Sequence, residues 1–318
     1  MTNIASIDIG SHTARLLISK KIGSPGLFRP LIRKRSYIRL AQCFDHQNGA
    51  AGIIGPEAID RTLSALAAFS HVARKYDVSQ VHAVATGVVR NAANRDHFID
   101  LIQSKTGIKV SVITGEKEAE LTCKGVLHAF NLETRPFVIF DLGGGTTEFI
   151  IGDKSYAKIK SIPLGAAVLT KRFLSSEPPG KGQLEDLDNH IDEVLEGVFS
   201  KETHVGSDHL MVGTGGTVTT LATLIHQIRV QDIRPDRLNG LVLGREEIED
   251  LFDRLKSLNT NERLKLPGLD KGRADVILAG TTVIIRILHY FRSEHMKVSL
   301  SDLLEGILIT YLEGEKDE

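Results

Sequence analysis

At 318 residues the chain exceeds the usual size of one compact domain, so two domains of roughly 100 to 200 residues each are expected, and 42% apolar with 25% charged residues excludes a disordered, fibrous or membrane-embedded chain. The net charge of -1 excludes the basic excess of a nucleic-acid binder, so a polyanion site would have to be local. There is no run of about 18 apolar residues and no basic leader, and Cys43 and Cys123 stand in no metal-ligand spacing, so the expectation is a cytoplasmic protein with two reduced thiols and no membrane partner.

Along the chain, Ile4 to Ile18 (IASIDIGSHTARLLI) aligns with Phe137 to Ile151 (FVIFDLGGGTTEFII), an internal repeat in which Asp8 falls on Asp141. Each copy is an apolar strand, an Asp, a Gly-rich turn with hydroxyls and a second apolar strand, which predicts a β-hairpin. Between the copies the spacing predicts a helix over Ala58 to Lys75, a strand at Val81 to Val84, a helix beginning near Asn91, a strand at Lys109 to Ile113 and a helix over Gly115 to Ala129 crossing to the second lobe. Five basic residues, Arg29, Arg33, Lys34, Arg35 and Arg39, lie within eleven positions; an anion site and a charged strand edge that resists aggregation fit them equally.

After the second hairpin a third strand is expected at Ala157 to Ile162, then a helix over Ala166 to Phe173 and a surface loop at Glu177 to Gly182. The remainder reads as mainly helical: Leu184 to Phe199, Val218 to Ile228, Arg245 to Leu258 and Ala274 to Phe291, with a strand at His209 to Val212. The amphipathic segment Ser301 to Leu312 is expected to return and close the first lobe, ahead of a frayed acidic tail, 313–318. The resulting expectation is an α/β protein of two related lobes, 1–122 plus about 301–318 and 123–300, with a ligand cleft between them.

Phosphate oxygens need converging N–H and O–H donors, which a Gly-rich turn supplies because no Cβ blocks the backbone. Asp8 to Thr13 and Asp141 to Glu148 both qualify, and the matched pair is stronger evidence than one turn. Asp8, Asp141 and Glu148 are candidate ligands for Mg²⁺, a hard cation that takes one or two carboxylates and keeps its waters; capping of the turns by the aspartates is the competing reading. A third turn, Gly213, Thr214, Gly215, Gly216 and Thr217, joins a strand to a helix, where amides at a helix N-terminus suit an anion and plain packing is the alternative. Glu116, Glu118 and Glu120 begin the inter-lobe helix, where carboxylates also serve the helix dipole.

In this order, DIGSHTARL, ATGVVRNAANRDHF, GEKEAEL, FDLGGGTTE, PLGAAVLT, GTGGTVTTLA and PGLDKGRADVILAG resemble the Ppx/GppA family of the sugar kinase, heat-shock-70 and actin superfamily, over nearly the whole chain. The resemblance implies two actin-like (ribonuclease H-like) lobes and hydrolysis of terminal phosphoanhydride bonds. It places the catalytic general base on Glu118, Mg²⁺ on Asp141 and Glu148, and phosphate contacts on Ser11, His12, Thr13, Arg15, Gly143, Gly144, Gly145 and Thr146. Arg90 matches an arginine near the cleft, suited to a charge-assisted phosphate contact. The GTGGT turn is similar to the distal phosphate motif of actin-like ATPases, implying contacts from Gly213, Gly215, Gly216 and Thr217.

Several positions depart from the family pattern. Lys117 replaces an acid, Glu120 replaces an arginine, and the family's GLREG stands here as Asp302 to Gly306, with Leu304 in place of the arginine. The chain resembles the short, two-domain subgroup, which implies a shorter channel and weaker processivity on long polyphosphate. The implied substrates are inorganic polyphosphate and guanosine pentaphosphate; the absence of Trp and the 5% aromatic content tilt the expectation toward polyphosphate. A homodimer is allowed by the resemblance and argued by no residue pattern. The rival readings are an ATP-dependent kinase or ATPase of the same superfamily, and a regulator that binds polyphosphate or guanosine pentaphosphate without cutting it.

Overall fold

The computed structural model describes residues 2–22, 27–45, 52–130, 136–153, 157–199 and 209–314, so most of the acidic tail lies outside the described residues. The chain divides into two compact units, 1–126 with 302–318, and 127–301. No helix among the described residues is long and apolar enough to cross a membrane.

The first unit is built on strands β1 (Asn3–Ile9), β2 (Thr13–Lys21) and β3 (Phe28–Tyr37), a two-stranded pair β4 (Phe44–Asp45) and β5 (Ile53–Ile54), helix α1 (Pro56–Lys75), strand β6 (Val78–Ala85), helices α2 (Gly87–Arg90) and α3 (Arg95–Thr106), strand β7 (Val110–Val112) and helix α4 (Gly115–Ala129). Its sheet runs β3-β2-β1-β6-β7, with β1, β2 and β3 antiparallel and β6 and β7 parallel to β1. The three parallel strands therefore end on one edge, where the segments after β1, β6 and β7 meet. α1 forms because Ala58, Thr62, Ala65, Leu66, Phe69 and Ala73 recur at helical spacing and are buried, and Pro56 stands in its first turn. The helix expected near Asn91 begins at Arg95 instead. The Asn94 side chain is committed to β5, accepting from Ile54 N at 3.0 Å and donating to Ile54 O at 2.9 Å.

The C-terminal helix, Leu303–Gly314, packs on this sheet: Leu304, Leu308 and Leu312 meet Ile4, Leu17 and Phe28. Each such fully buried leucine contributes about 2 kcal/mol. The helix touches α4 at backbone distance, because a Cβ at Gly306 would overlap the carbonyl of Leu121 and a Cβ at Gly125 that of Asp302.

The second unit begins with β8 (Phe137–Leu142), β9 (Thr147–Gly152) and β10 (Ala157–Ile162), followed by α5 (Ala166–Phe173), α6 (Lys181–Val198), β11 (Leu210–Gly215), α7 (Gly216–Ile225), α8 (Pro235–Leu238), β12 (Val242–Gly244), α9 (Arg245–Lys256), α10 (Thr260–Arg263), α11 (Ile277–Tyr290) and β13 (His295–Val298). Its sheet order is β10-β9-β8-β11-β13-β12. The first five strands repeat the arrangement of the first unit: an antiparallel β-meander whose first strand continues into two parallel strands. The chain is thus an α/β protein of two actin-like units. Phe140, Phe149, Phe199 and Phe291 stack at the centre of the second core.

The second unit differs from the expectation in two places. The continuous helix over Ala274 to Phe291 starts at Ile277, because Asp270 closes a 3₁₀ turn over 271–273: its carboxylate accepts from Gly272 N at 3.2 Å and its carbonyl from Arg273 N at 2.7 Å. Strands β12 and β13 were not expected. They are three and four residues long, too short for an alternation to show.

Candidate functional site

The repeat seen in the sequence is reproduced in the two hairpin turns by the same closing hydrogen bond. Gly10 N donates to Thr13 O at 3.0 Å, and Gly143 N donates to Thr146 O at 3.0 Å. Across each hairpin the register places Arg15 opposite Asp8 and Glu148 opposite Asp141.

In the first turn the outer carbonyls anchor the loop: Ser11 O accepts from Ala41 N at 2.9 Å, and His12 O from Ile38 N and Arg39 N at 3.1 and 3.0 Å. Ser11 Oγ accepts from Val88 N at 3.0 Å, tying the turn to α2. That contact requires glycine at 87, where φ is +49° and a Cβ would overlap Ser11 Oγ. Arg15 closes on Asp8, Nε to Oδ2 at 2.8 Å and Nη2 to Oδ2 at 2.8 Å, and its Nη1 pairs with Asp302. Asp302 also caps the C-terminal helix, accepting from Leu304 N at 3.2 Å, while its own amide donates to Glu305 at 3.1 Å and Glu305 pairs with Arg33. Of the five basic residues in the Arg29 to Arg39 stretch, Arg33 is therefore drawn inward, with burial pushing its guanidinium down to about 10, while Arg29, Lys34 and Arg35 stay exposed on the edge strand.

Glu118 stands in the first turn of α4, just beyond the end of β7, and is 7% exposed. Arg90 Nη1 donates to Glu118 Oε2 at 3.0 Å and to Ile113 O at 3.2 Å. Burial, against the pull of Arg90 and the Thr86 hydroxyl and with the help of the Asp8 charge, pushes the Glu118 carboxyl up to about 7. A buried carboxyl poised near neutrality is what a general base requires. Burial likewise raises the Asp8 carboxyl, against the pull of Arg15. Beside Arg90 a groove of about 530 Å³ runs past Arg95, Asp96, Ile99, Asp100, Val112, Ile113 and Thr114.

In the second unit the turn 143–146 rests on the N-terminus of α5: Gly143 O accepts from Ala166 N at 3.0 Å, and Gly144 O from Ala167 N and Val168 N at 2.9 and 3.1 Å. Among the described residues, no backbone carbonyl accepts from the amides of Gly144 or Gly145. Asp141 and Glu148 are both buried, and Ser161 Oγ donates to Glu148 Oε1 at 2.8 Å. Two buried carboxylates directly opposite each other repel unless a cation joins them. Their hard oxygens fit Mg²⁺, and because no larger cluster of His, Cys, Asp and Glu gathers among the described residues, such an ion would keep waters or phosphate oxygens as its other ligands. Asp8 differs, since its cross-strand partner Arg15 is already a cation.

The third turn divides by residue. Gly215, with φ of +102°, is the residue that caps α7 at its N-terminus and lies so near Asp141 that a Cβ would sit 2.9 Å from Oδ1. Gly216 lies under the guanidinium of Arg273. Gly213 is a packing glycine inside β11, where a Cβ would stand 2.8 Å from Phe140 and 2.9 Å from Met296, and the fully buried Thr217 faces Gly280 of α11. Arg273 is a residue that sequence reasoning missed. It lay within PGLDKGRADVILAG, yet nothing in the spacing of that stretch directs its side chain at the start of α7.

The departures at 117, 120 and 304 have local explanations. Lys117 Nζ pairs with Glu120 at 2.9 and 3.0 Å on a half-exposed side of α4, so the two charges answer each other. Leu304 fills the apolar contact with Ile4, Leu17 and Phe28.

Residues 17–315 match the Ppx/GppA phosphatase family. The chain is 31% identical to exopolyphosphatase 2 of Mycobacterium tuberculosis over 98% of both chains, and 30% identical to a bifunctional 3-dehydroquinate synthase/phosphatase of Fusobacterium nucleatum, of which it covers 47%. Among solved structures it resembles an exopolyphosphatase from Cytophaga hutchinsonii (TM-score 0.87, 30% identity, 98% of each chain) and a PPX-GPPA enzyme from Aquifex aeolicus (TM-score 0.77, 28% identity, 97% of this chain and 99% of that one).

Proposed function

The chain belongs to the Ppx/GppA phosphatase family, and from that premise we propose that it is an exopolyphosphatase that releases terminal orthophosphate from inorganic polyphosphate, with Glu118 as general base. The observation that carries this reading is the state of Glu118: a buried carboxyl beside Arg90, pushed up to about 7, at the edge where the parallel strands end. Water attacks the terminal phosphorus, Glu118 takes its proton, the bridging P–O bond breaks, and the shortened chain leaves as the anion. Arg90 keeps the carboxylate oriented. Each Gly-rich turn offers its amides to phosphate oxygens, the first together with Arg15, as in phosphoryl transfer generally, where positioning and charge stabilisation dominate. Asp141 and Glu148 would hold Mg²⁺, which neutralises charge on phosphate oxygens when bound.

Guanosine pentaphosphate is the second reading, favoured by the groove beside Arg90, whose apolar Ile99, Val112 and Ile113 and carboxylates Asp96 and Asp100 would suit a nucleoside. The test is orthophosphate release from long-chain polyphosphate, guanosine pentaphosphate and ATP in separate Mg²⁺-containing samples. Release from polyphosphate supports the proposal. Release from the pentaphosphate alone moves the assignment to a pentaphosphate phosphatase, and binding without release from either makes the protein a regulator.

A further inference from the structure

Asp302 stands where the resembled family pattern has glycine, and here it is 2% exposed with its carboxylate against the guanidinium of Arg15. Arg15 thus lies between two carboxylates. Asp8 takes its Nε and Nη2, and Asp302 takes its Nη1. The next charges along the chain of contacts, Arg33 and Glu305, pair with each other and cancel, so the five groups Asp8, Arg15, Asp302, Arg33 and Glu305 carry one net negative charge when all are ionised.

Two effects of Asp302 on an incoming phosphate oppose each other. It could hold Arg15 in place, or it could withdraw the positive charge that Arg15 offers. The first is small, because the cross-strand contact with Asp8, fixed by the β1/β2 register, already orients the guanidinium through two nitrogens. The second remains whole: a buried charge is weakly screened, and a carboxylate in contact with the binding cation repels an anion arriving at the same guanidinium.

We propose that Asp302 tunes phosphate binding, lowering the anion affinity of the first Gly-rich turn by occupying Arg15. This deepens the proposed function and rests on the assignment of Arg15 as a phosphate contact. An enzyme that grips a highly charged chain and must let orthophosphate go gains from such a partly engaged arginine. The rate of product loss rises as the charge presented to the product falls.

The test is the affinity of inorganic tripolyphosphate, without Mg²⁺, measured by calorimetry on the full chain and on three variants. Asp302→Ser keeps a capping oxygen for the C-terminal helix and removes the reach to Arg15, and Asp302→Asn removes the charge at constant size. Both are expected to bind tripolyphosphate about three- to tenfold more tightly, and to show a lower KM for polyphosphate. Arg15→Gln is expected to weaken binding at least about tenfold. Weakened binding in Arg15→Gln with unchanged or weaker binding in both Asp302 variants, their melting temperatures being kept, overturns the inference alone. Unchanged binding in Arg15→Gln removes Arg15 as a phosphate contact and the inference with it. A purely structural role for Asp302 would loosen binding, never tighten it.

Discussion

Arg15 and Glu148 occupy the same cross-strand position in the two repeated hairpins, each directly opposite the aspartate near the end of the first strand, yet one is a cation and the other an anion. The two repeats therefore differ in what faces the aspartate across the strands, a guanidinium in the first hairpin and a carboxylate in the second.

Metal dependence should follow this asymmetry. Glu148→Gln is expected to raise the Mg²⁺ concentration for half-maximal orthophosphate release by about tenfold or more, because a hard cation loses one of two carboxylates. A Mg²⁺ titration of the variant and the parent checks it, and coincident curves would remove Glu148 as a ligand.

Glu118→Gln should lower kcat by a factor on the order of 10² to 10⁴. In the parent protein kcat/KM should fall about tenfold per pH unit below roughly pH 7, as the carboxyl raised by burial takes up its proton. A flat profile between pH 5 and 7 would mean that another group sets the rate.

Stability should show the same group with a defined sign. In the fold Glu118 keeps its proton up to about pH 7, whereas in the unfolded chain it loses it near 4.5. Its contribution is therefore full below about 4.5 and is lost as pH rises through 7. Relative to Glu118→Gln, the parent should lose on the order of 2 kcal/mol of stability between pH 5 and 8 in metal-free buffer. Urea midpoints of both proteins at the two pH values measure this, and parallel changes would contradict it.

Gly306→Ala and Gly125→Ala should each destabilise the first unit by at least about 2 kcal/mol, since each added methyl meets a backbone carbonyl that no rotamer change can move. Gly180→Ala is the control, because a Cβ there has nothing within 4 Å. Thermal melts that fail to separate the three variants would argue against the close helix contact.

Much of this was legible in the sequence where the pattern was long. The repeat of Asp8 on Asp141, the two hairpins and the helices from Ala58, Gly115 and Arg245 all rest on runs of ten or more patterned residues. What stayed hidden depended on side chains reaching across the fold. No spacing announces that Arg15 is shared between Asp8 and Asp302, which lie 294 positions apart, or that Arg273 covers Gly216. The glycines of GTGGT looked alike on paper. In three dimensions Gly213 answers to Phe140 and Met296, and Gly215 to a left-handed backbone beside Asp141.

The first unit is assembled from two stretches of chain with the whole second unit threaded between them. On a ribosome adding about 5 to 20 residues per second, β1 and its Gly-rich turn emerge roughly 15 to 60 s before Asp302 and the C-terminal helix. Through that interval Ile4, Leu17 and Phe28 have no native cover. A chain released early would keep both turns and Glu118 yet present an open apolar sheet, a form suited to capture by chaperones and proteases before it could act on phosphate.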